Sequence, residues 1–110
     1  MEMNEYQKLA SRTAQFETDK FNPLIYTVLG LAGETGEVVE KVKKVLRNDD
    51  AELSEEKRQE LKKELGDVLW YLSQCSRVLN FELEEVAQAN IDKLADRKDR
   101  GVIASEGDDR

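Results

Sequence analysis

Two pairs of acidic residues have the spacing that metal chemistry requires. Glu34 and Glu37 form an E-x-x-E pair, and Glu64 and Asp67 form an E-x-x-D pair further along the chain. Residues three apart lie on the same side of an α-helix, one turn from each other. Like charges at this spacing repel unless a cation lies nearby, so each pair could form half of a metal site.

Both pairs have the same phase relative to the apolar residues around them. At about 100° per residue, Glu34 has apolar neighbours on one side and Glu37 about 60° to the other. Glu64 and Asp67 repeat this arrangement. If the two helices pack antiparallel through their apolar stripes, the four acids converge at the border of the core and require bound cations. The alternative is two solvated acidic edges, which chance allows in a chain with 24 acidic residues.

The composition narrows the choice of metal and partner. The chain has no histidine and one cysteine, Cys75, whereas zinc and non-haem iron sites usually use imidazole or thiolate ligands. Carboxylate-only sites favour Mg²⁺, Mn²⁺ or Ca²⁺. The net charge of −7 argues against binding to duplex nucleic acid. The single cysteine and the lack of a long apolar run predict a cytoplasmic protein without disulfides or membrane spans.

The elements that must position the acids are predicted to be four helices in one all-α domain. Apolar residues at helical spacing predict helices over residues 4–17, 23–47, 55–79 and 83–100, followed by a polar tail at 101–110. Ser54 is the predicted N-cap of the third helix, and Asn80 and Gly101 are predicted to end the third and fourth. The second helix contains Gly30, Gly33 and Gly36. These glycines indicate close approach by a neighbouring helix or a ligand, or else a break in the helix.

The residues predicted to face the core are the apolar ones of the two acid-bearing helices. They are Leu24, Val28, Leu31, Ala32, Val38, Val39, Val42 and Leu46 on the second helix, and Leu61, Leu65, Val68, Leu69, Leu72, Ser76 and Leu79 on the third.

Around the acids the sequence resembles the MazG-like, all-α nucleoside triphosphate pyrophosphohydrolases. Residues 30–40, GLAGETGEVVE, look like the family's first motif, and residues 64–71, ELGDVLWY, look like its second. Residues 90–97, NIDKLADR, are similar to its third helix segment. The resemblance covers about residues 24–100 and includes Gly33, Gly36, Gly66 and Tyr71. It implies a four-helix-bundle-type MazG-like fold that assembles as a dimer or a dimer of dimers, with sites near subunit boundaries.

The resemblance also implies an activity. The chain is expected to hydrolyse nucleoside or deoxynucleoside triphosphates to monophosphate and pyrophosphate, for nucleotide-pool control or housecleaning. Glu34, Glu37, Glu64 and Asp67 are expected to ligate Mg²⁺, with Mn²⁺ as a substitute. The metal would neutralise the triphosphate and activate an attacking water. Glu34 and Glu37 are the expected catalytic carboxylates, Glu37 in a bridging or supporting role.

Five residues are predicted to contact the substrate, and each has a plainer alternative. They are Lys41, Tyr71, Asn90, Lys93 and Arg97. Lys41 could instead pair with the acid one turn before it. Tyr71 could instead pack in the core, and the other three could form an ordinary solvated face.

Large aromatic and apolar residues are predicted to lie in the core, in a subunit interface or against the base of the substrate. Trp70 points away from the acids and is predicted to lie in the core or an interface, while Phe16 and Phe21 are candidates for base contact. Leu9, Phe16, Leu69 and Trp70 exceed what a chain of 110 residues can bury alone. They predict a homo-oligomer with a dimer as its smallest unit.

Three other functions agree with parts of the pattern. A structural bundle without activity explains the stripes but not the matched phases. A carboxylate-bridged di-iron protein normally uses Glu-x-x-His, and the chain has no histidine. A regulatory protein that binds nucleotides without turnover would have the same sequence features, and a pyrophosphate-release assay separates it from an enzyme.

Overall fold

The computed structural model describes residues 1–48, 50–104 and 106–108. This part of the chain forms four α-helices and no strands, which confirms the predicted all-α class. The helices are α1 (Met3–Ala10), α2 (Pro23–Asn48), α3 (Glu55–Val78) and α4 (Leu83–Asp99), and a 3₁₀ turn (Ser11–Thr13) follows α1. In the predicted 101–110 tail, residues 105, 109 and 110 lie outside the described residues. None of the described helices is long and apolar enough to cross a membrane.

The first helix is shorter than predicted, because it ends at Ala10 rather than near residue 17. Two hydroxyl side chains at its end donate to backbone carbonyls: Ser11 to Gln7 at 2.8 Å and Thr13 to Ala10 at 3.1 Å. Such local bonds compete with helix continuation. The chain is extended by Ala14, and this change of direction carries Phe16 into the interior.

α2 and α3 form an antiparallel hairpin, which is the main helix pair of the chain. Gly30 lies against Tyr71, and Lys41 lies against Glu60, so α2 and α3 residue numbers change in opposite directions along the pair. α2 continues through its three glycines without a break. The predicted cap of α3 is confirmed, because the Ser54 hydroxyl accepts a hydrogen bond from the Lys57 amide at 3.1 Å.

The predicted ends of α3 and α4 are confirmed to within a residue or two. Asn80 has a φ of +63° and Gly101 a φ of +72°. Both values lie in the left-handed region, which asparagine and glycine enter more readily than other residues. Each residue therefore stops its helix and redirects the chain.

The predicted core stripes of α2 and α3 were partly wrong, because each helix has two apolar faces. Leu31, Val38, Leu61 and Val68 are partly buried and Val45 is fully buried. A second set is exposed: Val28, Ala32, Val39, Val42 and Leu46 on α2, Leu65, Leu69 and Leu72 on α3, and Leu79 directly after α3. Only the first face is covered within one chain.

α1 and α4 pack at the far end of the hairpin, against α3 and each other. The buried Gln7 amide joins them by donating to the carbonyls of Ser73 and Phe81 and accepting from the Leu83 amide. Trp70 of α3 donates its indole N–H to the Ala10 carbonyl at 3.1 Å. These bonds satisfy backbone groups at helix ends, which would otherwise be costly to bury.

Candidate metal centre

Three carboxylates meet where α2 crosses the middle of α3. One oxygen from each of Glu34, Glu64 and Asp67 lies within 4.8 Å of the others, and these three residues are called the acid cluster below. Glu34 and Glu64 are partly buried, whereas Asp67 is exposed. The antiparallel hairpin brings the two motifs together because it pairs the middle of one helix with the middle of the other.

Burial and neighbouring carboxylates disfavour the charged form of one member of the acid cluster, Glu34. The pKa of Glu34 is raised by partial burial and by the charges of Asp67, Glu64 and Glu37. A raised carboxyl pKa means that the charged form lacks sufficient positive charge around it. Hard divalent cations prefer oxygen ligands of this kind, so the donor set fits Mg²⁺.

Glu37 lies beside the acid cluster rather than within it. Its charge raises the pKa of Glu34, but it does not belong to the set of oxygens that meet within 4.8 Å. It is exposed. Glu37 can therefore accept a proton or join the cluster through a side-chain rotation.

Lys41 pairs across the hairpin instead of with Glu37. Its ammonium nitrogen lies 3.7 Å from a Glu64 carboxylate oxygen and 3.8 Å from one of Glu60. This lysine places one positive charge at the edge of the acid cluster. Both contacts are long for charge-assisted hydrogen bonds, so the ammonium can turn toward another anion.

Tyr71 lies between the acid cluster and an aromatic group. A Cβ atom at Gly30 would lie 2.1 Å from the Tyr71 ring, so glycine is needed there for the ring to lie against α2. The pKa of Tyr71 is raised by burial, by a hydrogen bond with Tyr26 and by the charges of Tyr26, Glu34 and Asp67. The prediction of close approach by a neighbouring helix therefore holds at Gly30, while Cβ atoms at Gly33 and Gly36 would meet no atom of the described residues within 4 Å.

Two tyrosines near the site were not predicted. The pKa of Tyr6 on α1 is raised by burial and by the charge of Asp67. No local pattern marks a contact between helices so far apart in sequence. Tyr26 precedes Gly30 and Glu34 by one and two turns of α2, and this helical spacing was a usable signal.

The aromatic group has a buried part and an exposed part. Phe16 is 2% exposed and lies between Tyr26, with ring centres 5.3 Å apart, and Trp70 at 6.1 Å. The suggested base contact by Phe16 is therefore wrong, and Trp70, predicted to lie in the core or an interface, is partly buried against Phe16. Phe21 is 41% exposed and stacks on Tyr26 with ring centres 5.1 Å apart.

The three predicted substrate contacts on α4 form a separate group. Asn90 and Lys93 line a groove of about 580 Å³ together with Phe81, Glu85, Val86 and Ala89. Lys93 and Arg97, called the cation pair below, both bind the carboxylate of Asp108. The acids, Lys41 and Tyr71 come together on α2 and α3, whereas the described ion pairs of Lys93 and Arg97 are with Asp108.

A comparison with known proteins fits this geometry. The family model for the MazG nucleotide pyrophosphohydrolase domain matches residues 24–102, which include the acid cluster and the cation pair. The chain belongs to the MazG nucleotide pyrophosphohydrolase family. This MazG chain is also 45% identical, over 114 aligned positions and the full length of both chains, to the Gene 37 protein of Mycobacterium phage L5. The comparison with solved structures gave no significant match.

Proposed function

We propose that the chain is a magnesium-dependent enzyme that hydrolyses nucleoside or deoxynucleoside triphosphates to monophosphate and pyrophosphate. The observation that carries the proposal is the acid cluster, in which oxygens of three carboxylates lie within 4.8 Å of one another inside a MazG domain. Mutual repulsion of such charges is relieved by a bound cation. A role in nucleotide-pool control or housecleaning follows from that reaction.

The proposed roles of the acids follow from their positions. Glu34, Glu64 and Asp67 would hold Mg²⁺, or Mn²⁺ in its place. When bound, the metal would supply positive charge that neutralises and orients the triphosphate. Glu37 is close to the acid cluster but not part of it. We therefore propose that Glu37 accepts the proton of the attacking water. Glu34 would share the catalytic role, because the charge of Glu37 acts on its carboxyl.

The reaction needs few other groups. A water oxygen bonds to phosphorus, the anhydride link between the α and β phosphates breaks, and pyrophosphate leaves with the displaced electron pair. Lys41 would bind a phosphate oxygen as it turns from Glu64. Tyr71 would orient the acids that influence its pKa. The exposed ring of Phe21, already stacked on Tyr26, offers a surface for the base.

We also propose that a homodimer is the smallest active unit, with residues 1–100 as one domain and 101–110 as its tail. The radius of gyration is 17.0 Å, whereas a compact chain of this length has roughly 13 Å. The exposed apolar faces of α2 and α3 are the surface that a second copy would cover. Phe16 is buried within one chain, so the predicted partner surface is wrong for this residue, whereas Trp70 is only partly buried and stays a candidate for that surface.

Assembly would also explain the two separate groups of site residues. The cation pair would approach the acid cluster of a second copy, and Asn90, Lys93 and Arg97 would then contact phosphate across the subunit boundary. Light scattering coupled to size exclusion tests this arrangement. A dimer or tetramer at micromolar concentration is expected, and a fully active monomer would contradict it.

The proposed activity is tested by pyrophosphate release from a panel of nucleoside and deoxynucleoside triphosphates, with and without Mg²⁺. We expect release from at least one triphosphate, dependent on added metal and abolished by a chelator. Tight triphosphate binding without release would instead favour a nucleotide sensor. Neither binding nor release across the panel would favour a purely structural bundle.

A further inference from the structure

The chain turns back on itself after α4 and returns to the same helix. Gly101 has a φ of +72°, and the amide of Val102 donates to the carbonyl of Arg97 at 2.9 Å. Asp108 lies against the last two turns of α4. Its carboxylate accepts hydrogen bonds from Lys93 Nζ and Arg97 Nη2, each at 2.9 Å, and its backbone carbonyl accepts another from Arg97.

The receiving site is already built for an anion. Lys93 and Arg97 lie four residues apart and so face the same direction. The Arg97 side chain is 5% exposed, which fixes its guanidinium in place, and its Nε is buried without a hydrogen-bond partner among the described residues. A guanidinium has five N–H donors arranged for carboxylate or phosphate. The site therefore holds one carboxylate and keeps a donor unused.

The contact with Asp108 persists at ordinary pH. Hydrogen bonds from Arg97 and Lys93 and the charge of Lys93 lower the pKa of Asp108 to about 2. A lowered carboxyl pKa stabilises the folded contact above the ordinary aspartate pKa of about 3.9, and this contribution is lost only as the pH falls toward the lowered value. Between neutral pH and pH 4, the contact responds to competing anions rather than to protons.

We propose that Asp108 is an internal competitor that occupies the cation pair until a phosphate group displaces it. Carboxylate and phosphate bind arginine and lysine through the same charge-assisted hydrogen bonds, and a phosphate carries more charge and more acceptor oxygens. The proposal rests on the proposed function, in which the cation pair binds the polyphosphate of the substrate. The tail would then lower the apparent affinity for polyphosphate and confine occupancy to anions that outcompete a tethered carboxylate.

The competition is measurable without turnover, using the full chain and inorganic pyrophosphate in a calorimetric titration without Mg²⁺. Asp108→Asn keeps the size of the side chain and removes its charge. Because the Asp108 carboxylate is 80% exposed and solvent weakens such a contact, we expect this variant to bind pyrophosphate about two- to five-fold more tightly than the unchanged chain. Glu106→Gln is the matched control, since it removes one negative charge from the same segment, and it should leave the affinity unchanged.

The Lys93→Gln variant tests whether pyrophosphate binds at the cation pair. It should weaken pyrophosphate binding in both the unchanged chain and the Asp108→Asn background. Equal or weaker binding by Asp108→Asn would overturn the proposal, as would equal tightening in Glu106→Gln. A lower melting temperature of Asp108→Asn with unchanged affinity would show that the contact is structural. Because no hydrolysis is measured, these results stand apart from the outcome of the triphosphate assay.

Discussion

The acid cluster and the cation pair are opposite in charge, and they differ in how far neighbouring groups of opposite charge neutralise them. In the acid cluster the pKa of Glu34 is raised, because partial burial and three neighbouring carboxylates disfavour its charged form. At the cation pair the pKa of Asp108 is lowered to about 2, because Arg97 and Lys93 bind its charged form. The acid cluster has only the ammonium of Lys41 at its edge to offset three carboxylates, whereas the cation pair is bound by a carboxylate from the tail.

The difference indicates what each region lacks. A cluster of acids with unrelieved repulsion gains stability from a cation. A basic pair bound by a replaceable carboxylate can gain from a stronger anion. A magnesium–triphosphate complex supplies both charges, and this is why we regard the two regions as parts of one site even though one chain keeps them apart.

The largest effect is expected from removing charge in the acid cluster. Glu64→Gln and Asp67→Asn should each lower the rate of pyrophosphate release by on the order of 100-fold or more. Mutating a residue that only hydrogen-bonds to a metal ligand already lowers metal affinity or activity by about 10–100-fold, and loss of the ligand itself should have a larger effect. Circular dichroism should show unchanged helix content. Near-normal turnover in both variants would mean that these acids are surface residues without a role in the reaction.

The matched control for those variants is Glu40→Gln. Glu40 lies on α2 outside the acid cluster, and the pKa of its carboxyl is lowered by a hydrogen bond and charge from Lys43 and by the charges of Lys44 and Arg47. Its exposed ion pairs contribute little, so activity should be nearly unchanged. Glu60 is less suitable as a control, because it contacts both Lys41 and Lys57.

A smaller effect is expected at the cation pair. Lys93→Gln should raise the KM for triphosphate about ten-fold and change kcat less, because a charge-assisted hydrogen bond contributes about 1.5 kcal/mol or more to binding. Steady-state kinetics at saturating Mg²⁺ measures both constants. An unchanged KM would remove Lys93 from the substrate site and leave it as a partner of the tail.

Metal binding should also change stability without any substrate. Added Mg²⁺ is expected to raise the melting temperature by several degrees at metal concentrations well above Kd. The Glu64→Gln variant should gain much less. Equal stabilisation of both proteins in a thermal unfolding experiment would indicate that Mg²⁺ binds elsewhere.

The smallest effect concerns pH. Because the pKa of Glu34 is raised in the folded chain, the folded state holds this proton more tightly than the unfolded state does. The stability of the metal-free chain should therefore increase as the pH falls through the raised pKa toward the ordinary glutamate value of about 4.3, and decrease as the pH rises. The difference in melting temperature between the unchanged chain and Glu34→Gln isolates this contribution. A difference that does not vary with pH would contradict the charge repulsion on which the comparison rests.

The sequence predicted most of the fold but less of the surface and the tail. Helix boundaries followed from strong local signals such as the Ser54 cap and the left-handed positions at Asn80 and Gly101. The two faces of α2 could not be separated, because Val38 and Val39 are equally apolar and only the packing shows which one is covered.

The site residues could be predicted only where a local sequence pattern marks them. The two acidic motifs are local patterns, so Glu34, Glu64 and Asp67 could be named before their approach was known. The approach of Tyr6 to Asp67 and the return of Asp108 to Arg97 depend on tertiary contacts without a local signal. The hydroxyl groups that end α1 early were likewise hidden by an apolar pattern that continues past Ala10.

The most direct test of the central claim is phosphorus NMR of a nucleoside triphosphate incubated with the chain and Mg²⁺. We expect signals of the monophosphate and pyrophosphate to appear together in equal amounts, and neither to form with Asp67→Asn or in excess chelator. Formation of the diphosphate and inorganic phosphate, or equal product formation without a divalent metal, would contradict it.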